Sequence, residues 1–195
     1  MPARKKKSAS KSGPIYQFKV TLKESKPRIW RRIQVPDLTL GQFHEVLQAA
    51  MGWEDCHLHV FDIRGDQYGP LDPGNDSWDE EIHDEEEISL SAIVKMERKV
   101  RFTYEYDFGD SWQHDIVLEK TLEPEPGVTY PCCIEGERAC PPEDCGGVWG
   151  YAEFLDAISD PNHEAHDEML EWIGGEFDPE EFSTTVVNRE LKNIQ

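Results

Sequence analysis

Four of the five cysteines crowd into fourteen residues: Cys132, Cys133, Cys140 and Cys145, inside PCCIEGERACPPEDCGGVWGY at 131–151. Cys140 and Cys145 have four residues between them, a spacing found in zinc ligand pairs; Cys133 and Cys140 have six, which is looser. A tetrahedral site needs four soft or borderline ligands, and three thiolates with one imidazole suffice. Cys133, Cys140 and Cys145 are therefore candidate metal ligands, with zinc as the candidate ion. The competing expectation is a Pro- and Gly-rich loop whose cysteines pack as small hydrophobes. With no CxxC, a redox role is disfavoured.

His57 and His59 could complete such a site. They stand two apart on a strand predicted over 57–63, HLHVFDI, so both side chains leave one face. Alternatively one is a core histidine and the other a surface one. Glu54, Asp55 and Asp62 are close enough in sequence to orient either ring. A second group lies in YEYDFGDSWQHDI, 104–116. There Asp107, Asp110 and His114 are candidate catalytic residues, beside Asp115. An Asp–His pair can act as a general base or as half a metal site. Against that, both aspartates could bond turn amides while Trp112 anchors a hairpin. Asp107-Phe108-Gly109 has the letters of the kinase metal-binding triplet. No Gly-rich loop, VAIK-like strand or HRD segment precedes it, so that chemistry is excluded. No GxSxG, Walker A or Rossmann fingerprint is present.

The elements that must position these residues can be read from periodicity. IYQFKVTLK at 15–23 and RIWRRIQV at 28–35 alternate with period two and read as a hairpin, closed by Pro36. Thr39 can cap a helix over 40–51, whose stripe is Leu40, Phe43, Val46, Leu47 and Ala50, and Gly52 stops it. The loop after the third strand leads into an acidic run, and ISLSAIV at 88–94 is a short helix or turn. VRFTYEY at 100–106 and WQHDIVLEK at 112–120 read as a second hairpin. The cysteine segment has no clear periodicity. From Gly146 onward the pattern is helical, with stripes at Tyr151, Phe154, Leu155, Ile158 and at Met169, Leu170, Trp172, Ile173. Ser183 can cap a last helix. The order implies an α+β fold: a mostly antiparallel sheet with one inserted helix and a helical C-terminal half packed on one face.

Composition bounds the function. The 195 residues suit a basic, disordered tail at 1–13 followed by a single domain at 14–195. Net charge is −20; the first twelve residues carry +5, so the remainder carries −25. Such a body repels polyanions, so nucleic-acid contact is expected only through the basic tail. Arg28, Arg31 and Arg32 with Trp30 form the one basic–aromatic patch of the body, yet alternating strand faces cannot present them together. The acidic runs from Asp72 to Glu87 and Asp160 to Glu181 read as solvated surface. The first lacks the EF-hand order of ligands. No apolar run reaches membrane-spanning length, and MPARKKKSASKSG has no apolar core of a secretory signal. The expected compartment is the cytoplasm, with reduced thiols.

PRIWRRIQVP at 27–36, LGQFHEVLQAAMGWEDCHLHVFDI at 40–63, YEYDFGDSWQHDI at 104–116, CIEGERACPPEDCGGVWGY at 133–151 and FDPEEFSTTVVNREL at 177–191 together resemble the plasmid pRiA4b Orf3-like family. The resemblance spans roughly 15–192. It implies one α+β domain and carriage on plasmids, chromosomes and insertion elements. It carries over no catalytic residue, cofactor or ligand set. Two functions are therefore expected in competition. The first is a non-enzymatic binding or adaptor protein associated with mobile elements, its acidic body steering a basic protein partner. The alternative is a zinc-dependent enzyme of the hydrolase type built from the Cys/His/Asp cluster.

Overall fold

The computed structural model describes residues 13–71, 82–96 and 99–194. The basic tail and most of the first acidic run lie outside the described residues. Thirteen elements follow one another: β1 (Ile15–Leu22), β2 (Trp30–Val35), α1 (Leu40–Met51), β3 (His59–Ile63), β4 (Asp66–Gly69), β5 (Ile82–Asp84), α2 (Leu90–Met96), β6 (Arg101–Tyr106), β7 (Trp112–Leu122), β8 (Cys132–Glu137), α3 (Gly147–Ser159), α4 (His166–Ile173) and α5 (Thr184–Leu191). The strands form a single sheet in the order β5-β4-β3-β6-β7-β1-β2-β8. Every described pairing is antiparallel except β4 with β5. The fold is thus α+β with a mostly antiparallel sheet, as expected. It differs in detail. The short element expected near 88–94 is a second inserted helix, α2; the loop after β3 contains β4; the acidic run read as solvated surface contains β5 and the buried Glu85; and the segment with no periodicity contains the edge strand β8.

α1 shows why the sequence folds as it does. The Thr39 hydroxyl oxygen accepts from the Gln42 amide while the Gln42 side-chain oxygen accepts from the Thr39 amide, a reciprocal cap. Gly52 ends the helix at φ 102°, a left-handed conformation that costs glycine little. Between these ends, the apolar stripe lies across the middle of the sheet. The Phe43 ring sits 5.2 Å from Phe18 of β1, 6.3 Å from Phe61 of β3 and 6.4 Å from Phe102 of β6. Truncating such a ring to alanine costs about 3–5 kcal/mol.

Arg31 ties the far end of α1 to the sheet edge. Its buried guanidinium donates to Ala50 O at the end of α1 and to the carbonyls of Trp30 and Glu137, all at 2.9 Å. It also lies over the Phe182 ring. Arg32 points to the other side, paired with Glu119 and Glu135. The arginines therefore form no shared basic surface. α5 packs on α1 and β8, and α3 pairs with α4. Among the described residues no helix is long and apolar enough to cross a membrane.

Candidate metal centre

Three separated pieces of chain meet at one end of the sheet. His57 comes from the connection between α1 and β3, Asp107 directly follows β6, and Glu143 and Asp144 precede α3. The Nε2 of His57 stands 3.3 Å from Asp144 Oδ1, 3.7 Å from Asp107 Oδ2 and 3.7 Å from Glu143 Oε2. None of these pairs is a hydrogen bond, and His57 Nε2 and Glu143 Oε2 are both buried without a partner. Two overlapping groups have all their donor atoms within 4.8 Å of one another: His57, Asp107 and Asp144, and Cys56, His57 and Glu143. Ligands about 2.0–2.2 Å from a zinc-like ion lie about 3.4 Å apart at the corners of a tetrahedron. The His57–Asp144 spacing of 3.3 Å meets that value, and the 3.7 Å spacings to Asp107 and Glu143 lie just beyond it.

Asp107 and Glu143 are each fixed by one oxygen and offer the other. Asp107 Oδ1 accepts from the Gly109 amide at 2.9 Å, while its own amide donates to Leu58 O at 2.9 Å. Asp107 is held at φ 56°, a conformation aspartate tolerates through such local bonds. Glu143 Oε1 accepts from the Glu54 amide at 2.9 Å and from the Tyr106 hydroxyl at 3.1 Å. Tyr106 also accepts from the Cys56 amide at 3.0 Å. Burial holds the Tyr106 phenol protonated, well above its ordinary range, so it remains a donor. Asp144 is the exposed member, its side chain 72 % exposed.

Asp110 works beneath this layer. Its Oδ2 accepts from the Gly146 amide at 3.0 Å and so anchors the chain just after Asp144. Gly147 must be glycine here: its φ is 69°, and a Cβ would meet the Asp110 carbonyl oxygen at 2.5 Å. The Gly-Gly pair lets the start of α3 close onto the β6–β7 turn.

A family model described as "Plasmid pRiA4b ORF-3-like protein" matches residues 14–186. The chain belongs to the plasmid pRiA4b ORF-3-like family. It is 44 % identical over 161 residues to the uncharacterized protein y4hQ of Sinorhizobium fredii (strain NBRC 101917 / NGR234), a match covering 82 % of this chain and 81 % of that one. It is also similar to the crystal structure of MM3350 from Methanosarcina mazei Go1, titled as a protein of unknown function. The TM-score is 0.80 at 39 % identity, covering 93 % of this chain and 98 % of that chain.

In this pRiA4b ORF-3-like chain the other predicted residues go elsewhere. β3 begins at His59, so His57 precedes the strand and the same-face expectation does not apply. His59 turns inward and stacks on His44, ring centroids 3.5 Å apart, with its Nε2 2.8 Å from Glu85. His44 Nε2 meets Asp55 at 2.7 Å, while its Nδ1 meets the Tyr104 hydroxyl at 2.7 Å, which also accepts from Gln48. Burial, then the neighbouring His59, lowers the His44 pKa. A neutral His44 therefore donates from Nε2 and accepts from Tyr104. His114 is fully buried with Nδ1 3.3 Å from Tyr104 O, and burial pulls its pKa to about 4. It does not pair with Asp107.

The three candidate cysteines enter neither ligand group among the described residues. Cys133 is buried on β8, its thiol donating to Glu135 O at 3.5 Å. Burial pushes the Cys133 thiol to about 11 and the Cys145 thiol to about 12, and pushes Cys140 up further in the same direction. Glu143 and Asp144, in contrast, carry no sequence signal of the kinds read above. They sit inside the cysteine run, between Cys140 and Cys145, where thiol spacing drew the eye. Two acids one residue short of a Gly-Gly helix start were the available clue.

Proposed function

We propose that this protein is a divalent-metal-dependent enzyme of the hydrolytic class. The single observation behind the reading is the imidazole Nε2 of His57, buried without a hydrogen bond and 3.3–3.7 Å from three carboxylate oxygens. His57, Asp107 and Asp144 would hold the ion as one nitrogen and two oxygen ligands, a set that suits zinc and neighbouring first-row ions. Such an ion lowers the pKa of a bound water to about 7 and polarises a carbonyl or phosphoryl oxygen. Glu143 is the base. Its Oε1 is fixed by the Glu54 amide and Tyr106, which aims Oε2 into the site, ready to take a proton.

The test is a turnover screen of zinc-loaded full-length protein on esters, amides and phosphoesters. Turnover that falls with chelator and with Glu143→Gln supports the reading. A chain that binds zinc yet turns over none of these substrate classes overturns the enzymatic part.

One observation favours a second reading, an adaptor without chemistry. Trp149 on α3 is 81 % exposed in a chain of net charge −20. An exposed indole on an acidic body suits a basic, apolar protein segment. The plasmid carriage that the family's name suggests is compatible with both readings. Loss of partner capture by Trp149→Ala, with zinc content unchanged, separates them.

A further inference from the structure

A cavity of about 380 Å³ opens between α3 and α4, and Asp144 lines it. The same residue therefore belongs to the ligand cluster and to the cavity lining. Away from the polar Asp144, Glu153 and His163 the wall is apolar: Phe154 and Ala157 from α3, Met169 and Trp172 from α4. The Phe154 ring meets Trp172 edge to face at 5.6 Å and Phe177 at 5.3 Å, which fixes the wall. α4 has no fully buried residue, so its apolar side is only partly covered. A volume of this size is in the range of small-molecule sites, and a few polar groups at one end of an apolar cleft is their usual anatomy.

Charge narrows the occupant. Glu153 shares the rim with Asp144 and His163. This rim disfavours a ligand with a negative tail. The walls accept a compact apolar group, and the shared Asp144 places that group one residue away from the reacting end.

We propose that this cavity receives the apolar side chain of an acyl substrate, a neutral or cationic ester or amide whose carbonyl faces the His57–Asp107–Asp144 cluster. This rests on the metal-dependent reading above. In the reaction, the oxygen of water bonds to the acyl carbon and the bond from that carbon to the leaving nitrogen or oxygen breaks. The proton taken by Glu143 passes to the leaving atom, so an acid and an amine or alcohol result.

The experiment uses two hydroxamates as probes on the zinc-loaded full-length chain, read by calorimetry. Acetohydroxamate tests the metal cluster alone, and phenylacetohydroxamate adds an aromatic group for the cavity. We expect the phenyl probe to bind at least ten-fold tighter. In Trp172→Ala and in Met169→Gln that advantage falls several-fold, while acetohydroxamate binding stays unchanged. Both are partly exposed positions, so neither variant depends on repacking a core. Acetohydroxamate binding without any phenyl advantage, or an advantage untouched in both variants, overturns the cavity assignment and leaves the metal site standing. Absence of zinc and of both probes overturns the metal reading, and the cavity assignment with it.

Discussion

His57 Nε2 and Asp144 Oδ1 face each other at 3.3 Å across a gap that no hydrogen bond fills. One end of this pair is on the connection before β3 and the other on the loop before α3. Nothing local in the sequence brings them together. What does so is the Asp110 anchor and the Gly146-Gly147 start of α3, and each of these can be broken separately.

Gly147→Ala should therefore act twice. It forces a Cβ to within 2.5 Å of the Asp110 carbonyl and a side chain onto φ 69°. The expected loss is about 1–3 kcal/mol, several degrees in Tm, with a matching fall in zinc affinity. Gly65→Ala is the control. Its φ is also positive, but a Cβ there meets nothing within 4 Å. Equal effects of the two substitutions on zinc affinity would contradict the docking of α3 on the β6–β7 turn.

Glu143→Gln should keep the ion and lose the chemistry. The amide can still accept from Tyr106 and the Glu54 backbone, but it cannot take a proton. Turnover is expected to fall about 10²–10⁴-fold, with zinc stoichiometry unchanged. If zinc leaves together with activity, Glu143 is a ligand rather than the base.

Acid should unfold the protein through His114. Its folded pKa, about 4, lies below the roughly 6.5 of an unfolded histidine. Between those values the unfolded chain takes a proton that the folded chain refuses. Stability is then complete above about pH 6.5 and falls as pH drops toward 4, by on the order of 3 kcal/mol. His44, also lowered by burial, contributes in the same direction. Urea titrations at a series of pH values should give a shallower acid limb for His114→Leu. An unchanged slope would rule out His114 as the source.

The cysteines separate two accounts of any bound ion. Cys133, Cys140 and Cys145 stand outside both ligand groups, so Cys133→Ser, Cys140→Ser and Cys145→Ser should each keep wild-type zinc content. Loss of zinc in Cys140→Ser and Cys145→Ser together would instead favour the thiolate site that their spacing suggests.

Much of the architecture was legible because burial follows period. α1 was readable from Thr39 to Gly52, and both hairpins were readable from alternation. β8 was hidden because it is an edge strand, with Cys133 as its one buried residue and Glu135 and Glu137 exposed after it. The site was half legible. His57 and Asp107 carry chemistry in their types and neighbours. Glu143 and Asp144 matter through a long-range closure that depends on Asp110 accepting from Gly146, a bond spanning 36 residues. His57 and His59 misled as a pair because the strand begins two residues later than expected, at His59, which leaves His57 outside it.

The most direct measurement is metal content by inductively coupled plasma mass spectrometry, on protein made without a histidine tag, loaded with zinc and desalted. Wild type is compared with His57→Ala, Asp107→Asn and Asp144→Asn, each checked for folding by circular dichroism. About one zinc per chain in wild type, lost in folded His57→Ala and Asp107→Asn and reduced in Asp144→Asn, is the expected result. Wild type without zinc, or full zinc in His57→Ala and Asp107→Asn, would contradict a metal centre at His57.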